Sequence, residues 1–364
     1  MNFTTRTIFS PILPLIEDEF GTTHARASSI FIFISSGYSF SLLCAGIYAR
    51  FLGYKKSILI CLTLIAAVYF TIPFIRVFEM LYLFAFLLGV ATGMYLPAML
   101  PLLTRYYDEK IWGRVLAIQE SGAPFSIFCA PIIAVFLLLF LSWRGIFVVL
   151  GSAALLCVPL FYAVAEETEV RPVKTFFLGG LLRRREFWII TTIWVFAGAA
   201  NLAIYYIIPL YLTKELLLDV QYANTVFGIS RLGGVFVSIS AGFLVERFSL
   251  KKTAFWLVLL TGIFTMLLVI RDLWWMKILL FLQASISCGF FPVALVTVSK
   301  MFPQEERGQA MGFIIFLAAI LGIGVIPYLL GLSGDLLSFR FGILMLGILT
   351  SLSAGLVFLL KKLH

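Results

Sequence analysis

Twelve apolar stretches, separated by short polar or charged connectors, run the length of the chain. A helix that crosses a bilayer needs about 20 apolar residues. Eleven stretches are of that order, at about 27–49, 57–75, 81–104, 113–141, 145–164, 187–213, 222–245, 253–270, 274–299, 308–332 and 341–360. They predict helices two to twelve of an all-α integral membrane protein. The first stretch, about 3–16, is shorter, and the acidic run Glu17-Asp18-Glu19 after it reads as a loop. It is no signal peptide, lacking a basic start and a small-residue cleavage site. One polar connector, 165–186, holds Arg171, Lys174, Arg183, Arg184 and Arg185 and lies near the middle. It divides the chain into 1–164, a linker at 165–186, and 187–364.

The two parts repeat each other at punctuation residues. Pro14 and Pro209 are 195 apart, as are Pro97 and Pro292, and Gly46 and Gly242 are 196 apart, as are Pro131 and Pro327. Arg114 and Arg307 follow at 193. In this register helix one has its partner in helix seven, and Met1 falls inside the helix. The expectation is that some ten or more apolar residues precede it, the alternative being a genuinely shortened first helix.

The repeat is clearest in two charged loops. Gly242-Phe243-Leu244-Val245-Glu246-Arg247-Phe248-Ser249-Leu250-Lys251-Lys252 echoes Gly46-Ile47-Tyr48-Ala49-Arg50-Phe51-Leu52-Gly53-Tyr54-Lys55-Lys56. Both run from a glycine that permits close helix approach to a lysine pair that favours the cytoplasmic side. The pattern resembles the loop between helices two and three of the major facilitator superfamily of transporters, roughly Gly-x-x-x-Asp-Arg-x-Gly-Arg-Lys. The second copy keeps an acid–arginine pair in Glu246-Arg247 and has Ser249 for the second glycine. The first copy keeps Gly46, Gly53, Lys55 and Lys56 but has Arg50 where the family has an acid. Ser142-Trp143-Arg144-Gly145-Ile146-Phe147 and Pro303-Gln304-Glu305-Glu306-Arg307-Gly308 resemble the family's starts of helices six and eleven. The resemblance implies two six-helix bundles around a central cavity, with the first helix truncated. It also implies that these loops help lock the cytoplasmic side.

Composition agrees with a membrane class: 62% hydrophobic residues, only 12% charged, and a mean hydropathy of +1.07. The net charge of +9 comes from basic residues in short loops, which is a topology signal and no nucleic-acid footprint. With the linker inside, 18 basic residues fall in inner loops and 7 in outer ones. This predicts cytoplasmic termini and, for a bacterial-type cell, the inner membrane. Cys44, Cys61, Cys129, Cys157 and Cys288 lie singly in apolar segments with no metal or disulfide spacing. No cofactor or metal is expected. The expected partners are a small solute, a coupling proton or cation, and the bilayer around a monomer.

Two basic residues fit no loop. Arg231 lies mid-way along helix eight, in Gly228-Ile229-Ser230-Arg231-Leu232-Gly233-Gly234, and Arg6 is repeat-equivalent to Asn201, mid-way along helix seven. A charge at that depth costs at least ~2.5 kcal/mol on insertion scales and marks a substrate or ion path. Glu120, two turns into helix five, is the third candidate. One carboxylate neutralises one arginine, so a cavity holding all three keeps a positive charge that a bound anion completes. An arginine fork also matches a carboxylate or phosphate with paired hydrogen bonds. The alternative is that Arg231 pairs with Glu120 structurally and Arg6 reaches an interface. Asn201, Tyr38, Tyr205, Tyr206 and Gln283 are further cavity candidates, though each is as easily an interhelical hydrogen bond.

The stretch Asn2-Phe3-Thr4-Thr5-Arg6 resembles the Asn-Tyr-x-Asp-Arg run in helix one of organic-anion transporters of this superfamily. There the arginine helps bind the anion. Thr5 replaces the acid, which leaves Glu120 as the expected proton carrier. The sequence-based expectation is therefore a proton-coupled secondary transporter of a small organic anion. A proton-driven exporter is the main alternative, although Gly122 is followed by Ala130-Pro131 without the second glycine of the exporters' Gly-x-x-x-Gly-Pro run. A non-transporting receptor or scaffold is the second. With His24 and His364 the only histidines, no metalloenzyme motif is present.

Overall fold

The computed structural model describes residues 2–167 and 178–360, without the side chains of Glu109, Gly113, Ala117, Leu178, Gly179, Val235, Ile239, residues 241–246, Gln304 and Glu305. Arg171 and Lys174 of the linker lie outside the described residues. Every element among the described residues is helical, as hydrocarbon requires of a backbone that must satisfy its own N–H and C=O groups. Among these residues nine helices are long and apolar enough to cross a membrane. A tenth is counted if His24–Leu43 and Ala45–Leu52, bent by 60°, form one span. The other two of the twelve predicted stretches are helical but interrupted. Helix one consists of Asn2–Thr7 and Phe9–Phe20, and helix eight of Val220–Ser230 and Leu232–Arg247.

The chain folds as two compact units, residues 1–21 with 30–174, and residues 22–29 with 175–364. In the first, helix two (Ile30–Leu43) lies against helix four (Phe78–Gly93). A Cβ at Gly37 would overlap the Phe86 carbonyl, and one at Gly89 the Ile34 carbonyl, so both glycines are there for backbone approach. Helix three (Tyr54–Thr71) packs on helix six (Trp143–Val164), where Gly151 faces Tyr69. Helix five is Trp112–Leu138.

The second unit reuses the scheme. Helix eight meets the first part of helix ten (Leu273–Cys288) at Gly233 and Gly234, which face Ser285 and Cys288. Gly233 is the repeat partner of Gly37, 196 residues on. Helix nine (Leu250–Leu267) packs on helix twelve (Phe339–Gly355) through Gly262 and Gly347. Helix eleven begins as Gln304–Ala318, passes through a π-helical segment, Ala319–Val325, and ends as Ile326–Leu336. Its Asp335 carboxylate accepts the His24 and Ala25 N–H groups at 2.9 and 2.8 Å. Thr23 accepts that of Arg26, so the first N–H groups of the His24–Ser28 helix all have acceptors.

Breaks in the helices have identifiable causes. Helix four is interrupted at Met94 and resumes as Tyr95–Tyr106; helix ten is interrupted at Gly289 and resumes as Phe290–Met301. Each break lies three residues before a proline, Pro97 or Pro292, which cannot donate the helical hydrogen bond. Helix seven runs as Arg185–Gly198, a π-helical Ala199–Ala203, Ile204–Leu210 and a π-helical Tyr211–Glu215.

One boundary differs from expectation. Glu17, Asp18 and Glu19 are not a loop: helix one continues to Phe20 and ends on Gly21, left-handed at φ 55°. Acids in a last turn oppose the helix dipole, and Glu19 is held from outside. Its carboxylate accepts Arg144 Nε at 3.0 Å and Nη2 at 2.7 Å, and the Trp143 indole N–H. Arg144 also donates to the Ile72 and Pro73 carbonyls. The Trp-Arg pair thus ties the start of helix six to the ends of helices one and three. Arg144 holds the Glu19 carboxyl below the usual carboxylate range.

Candidate functional site

Arg231 occupies the break in helix eight. Its N–H bonds back to the Gly228 carbonyl at 3.0 Å. The side chain is 2% exposed, and Nε, Nη1 and Nη2 are all buried without a hydrogen-bond partner. The guanidinium carbon lies 4.9 Å from the Phe227 ring centroid and 5.1 Å from that of Tyr205. Aromatic faces supply part of the stabilisation that water would give, but they leave the five N–H donors unused. Glu120 is exposed on helix five of the first unit.

Arg6 has a related environment in its own unit. Its guanidinium carbon lies 4.3 Å from the Tyr38 ring centroid and 4.7 Å from that of Phe3, and its Nε is buried without a partner. The first unit places an arginine of helix one on a tyrosine of helix two. The second unit places an arginine of helix eight on a tyrosine of helix seven. The roles of the two helices are exchanged between the repeats.

The remaining polar candidates separate by what they already bond. Gln283 is fully buried, and its Nε2 donates to the Ala200 carbonyl at 2.6 Å and to Thr265 Oγ1 at 3.2 Å. Ala200 belongs to the π-helical segment of helix seven, so this amide braces an irregular turn. Asn201, in the same segment, donates to Cys288 Sγ at 3.7 Å. Near Arg6, Asn2 donates to the Thr92 carbonyl at 3.0 Å and to Cys61 Sγ at 3.8 Å. Tyr69 donates to the Thr5 carbonyl at 3.1 Å. Cys288, Phe227 and Phe3 are the neighbours that sequence reasoning missed.

The charged loops also take shape. Gly53 has φ 79°, a left-handed value that favours glycine, and an added Cβ there would strike the Glu167 carboxylate. Glu167 thus brings an acid to the first copy of the loop motif, where position 50 is arginine. Lys55 stacks on Tyr162 at 4.5 Å and Lys251 on Phe358 at 5.9 Å; the lysines are 196 apart, and so are the rings. Arg50, Lys56, Lys252 and Arg247 are exposed or nearly so, and Gly46 faces open space. Gly242 and Glu246 lie on the helix-eight backbone, with side chains outside the described residues. Arg184, at the end of the linker, forms a two-pronged pair with Glu306 in the motif that starts helix eleven, at 2.7 and 2.9 Å.

Comparison with known proteins gives this architecture its place. An MFS-type efflux pump of Mycolicibacterium smegmatis is 23% identical over 223 residues, 57% of this chain and 52% of the relative. The uncharacterized transporter YybO of Bacillus subtilis is 25% identical over 170 residues, 46% of this chain and 39% of the relative. The aligned part spans about half the length of these curated relatives or less. Among solved structures, an inward-facing, unoccupied bacterial homologue of the human lysosomal transporter Spinster superposes with a TM-score of 0.83 at 14% identity. The match covers 99% of this chain and 94% of that one. A D-xylose–proton symporter gives 0.80 at 16%, covering 100% and 95%. These two likenesses concern the fold. The family model of the Major Facilitator Superfamily matches residues 1–244 and 195–364, the whole length between them. By this match, this chain belongs to the major facilitator superfamily.

Proposed function

We propose that this chain is a secondary active transporter that moves a small organic anion by alternating access, coupled to protons. The observation that carries the reading is Arg231, a buried guanidinium with no hydrogen-bond partner on any of its three nitrogens. A permanently charged group held in apolar surroundings without a counter-ion is costly. A carboxylate or phosphate ligand would supply the counter-charge and two parallel hydrogen bonds. Arg6, partly buried with its Nε unpartnered, offers a second guanidinium in the first unit, and Glu120 is the proton-carrying candidate. Tyr38, Tyr205, Asn201 and Gln283 shape or brace the surroundings of the two arginines. The protein works as a monomer in the inner membrane with both termini cytoplasmic, and the two charged loops govern its cytoplasmic gate.

The test is uptake into proteoliposomes across a panel of organic anions, with Arg231→Lys and Arg231→Gln beside the parent. Lysine should weaken affinity and glutamine should weaken it further. Unchanged affinity in Arg231→Gln would make the arginine structural. A second reading, export, is favoured by the similarity to the mycobacterial protein named an efflux pump. Counterflow from preloaded vesicles under an imposed proton gradient separates the directions.

A further inference from the structure

We propose that Cys288 completes the anion-binding pocket of Arg231 and is therefore a thiol selective for negatively charged reagents. This rests on reading Arg231 as a ligand group.

Cys288 is the last residue before the break in helix ten, and Pro292 cannot donate the helical hydrogen bond to its carbonyl. Helix eight approaches the thiol as closely as it does only because position 234 has no side chain: a Cβ on Gly234 would lie 2.7 Å from Sγ. Arg231 is one turn before Gly234. From helix seven, the Asn201 amide donates to the same sulfur at 3.7 Å. Three helices therefore converge on Sγ at the level of Arg231.

Independently of the cysteine, the arginine itself points to a ligand. It is an unpartnered charged side chain, 2% exposed, one helical turn from the glycine that lies against Cys288. The guanidinium lies over the Tyr205 and Phe227 rings, and its N–H groups are left for an anion. Cys288 is only partly buried, whereas Cys61, which has a similar asparagine bond at 3.8 Å, is completely buried. Cys61 is thus an internal control for a sealed thiol.

The reaction that reads the pocket needs no outside oxidant. The Cys288 thiolate attacks the sulfenyl sulfur of a methanethiosulfonate. A mixed disulfide forms, the bond to the sulfonyl sulfur breaks, and methanesulfinate leaves with the electron pair, the thiol proton having passed to buffer. In the product of the sulfonatoethyl reagent, the new sulfonate lies within the field of Arg231.

The experiment treats the purified full chain with sulfonatoethyl and trimethylammonioethyl methanethiosulfonates. Modification at each cysteine is followed by peptide mass spectrometry, and each rate is normalised to that with a free thiol in solution. A local positive field should favour the anionic reagent at Cys288 by about tenfold or more. That preference should persist in Arg231→Lys and collapse in Arg231→Gln, with Cys61 unmodified throughout. A parent ratio near one overturns the pocket, as does a ratio that survives in Arg231→Gln. If that variant does not stay monodisperse, the parent and Arg231→Lys ratios decide. A tenfold ratio alongside unaltered transport by Arg231→Gln upholds the pocket while refuting the transport reading. A ratio near one alongside lost transport does the reverse.

Discussion

Replacing Arg231 with methionine should raise the stability of the substrate-free protein while abolishing anion binding. The two effects have opposite signs because the arginine lacks partners. On insertion scales a buried arginine at mid-membrane costs about 2.5–3.5 kcal/mol. The two rings beside it, at 4.9 and 5.1 Å, return about 0.5–1 kcal/mol each. The balance leaves the empty protein about 0.5–2.5 kcal/mol worse off with arginine than with an apolar side chain of similar length. With ligand bound the sign reverses: each charge-assisted hydrogen bond contributes roughly 1.5–3 kcal/mol, so a two-pronged contact is worth about 3–6 kcal/mol, or a factor of about 10² to 10⁴ in affinity. Thermal unfolding of the detergent-purified protein, with and without a transported anion, reads both effects. The parent should gain stability on adding the anion. Arg231→Met should start higher and gain nothing. A melting temperature that falls in the ligand-free variant would refute the reasoning, since it would mean that the guanidinium holds the unit together through contacts worth more than its burial costs.

Other outcomes follow from features already described. Gly89→Leu should prevent helices two and four from closing, because even a Cβ at Gly89 overlaps the Ile34 carbonyl; overpacking of this kind costs about 1–3 kcal/mol or more, seen as loss of monodisperse protein on size exclusion, whereas normal yield would place the helices further apart. Glu19→Gln should lower the melting temperature at pH 7. Glu19 is held below the usual carboxylate range by Arg144, so its contribution is complete above the unfolded-state value and lost as pH falls through the depressed one. The gap between parent and Glu19→Gln should therefore close on acidification, and a gap that widens would remove the Arg144 clamp. We predict that Glu246 biases one of the two access states through a helix-end charge worth about 0.3–1 kcal/mol; Glu246→Gln should change transport rate with little change in affinity, and equal rates would remove the gate role.

Much of the fold was legible because prolines and glycines act through the backbone. Pro97 and Pro292 announce the same break in helices four and ten, and Gly37 and Gly233 mark the same close crossing, whatever surrounds them. Arg231 and Arg6 were legible for a related reason: a charge in an apolar run has few explanations. The π-helical segment at Ala199–Ala203 left no trace in composition, because a one-residue bulge changes the phase of a helix without changing its residues. That is why Gln283, polar in an apolar helix, read as a candidate ligand group when its Nε2 braces Ala200. Cys288 was invisible as a neighbour of Arg231, since its proximity depends on Gly234 two helices away in sequence. The acidic run at 17–19 read as a loop because its compensation by Trp143 and Arg144 lies over a hundred residues downstream.

The paired lysine contacts of the charged loops carry a last consequence. Lys55 on Tyr162 and Lys251 on Phe358 repeat at one offset, 196, as do Gly37 and Gly233, whereas Arg6 corresponds to Asn201 in the repeat and Arg231 to Ser35. The chain is thus a record of two copies of one plan that drifted apart unevenly. What fastens a loop lysine to the last helix of its half was kept twice. The two arginines proposed to meet a solute occur once each, on helices that are not repeat partners. Grafting one half's fasteners into the other should be nearly silent, whereas moving an arginine to its twin position should rewrite what the molecule recognises.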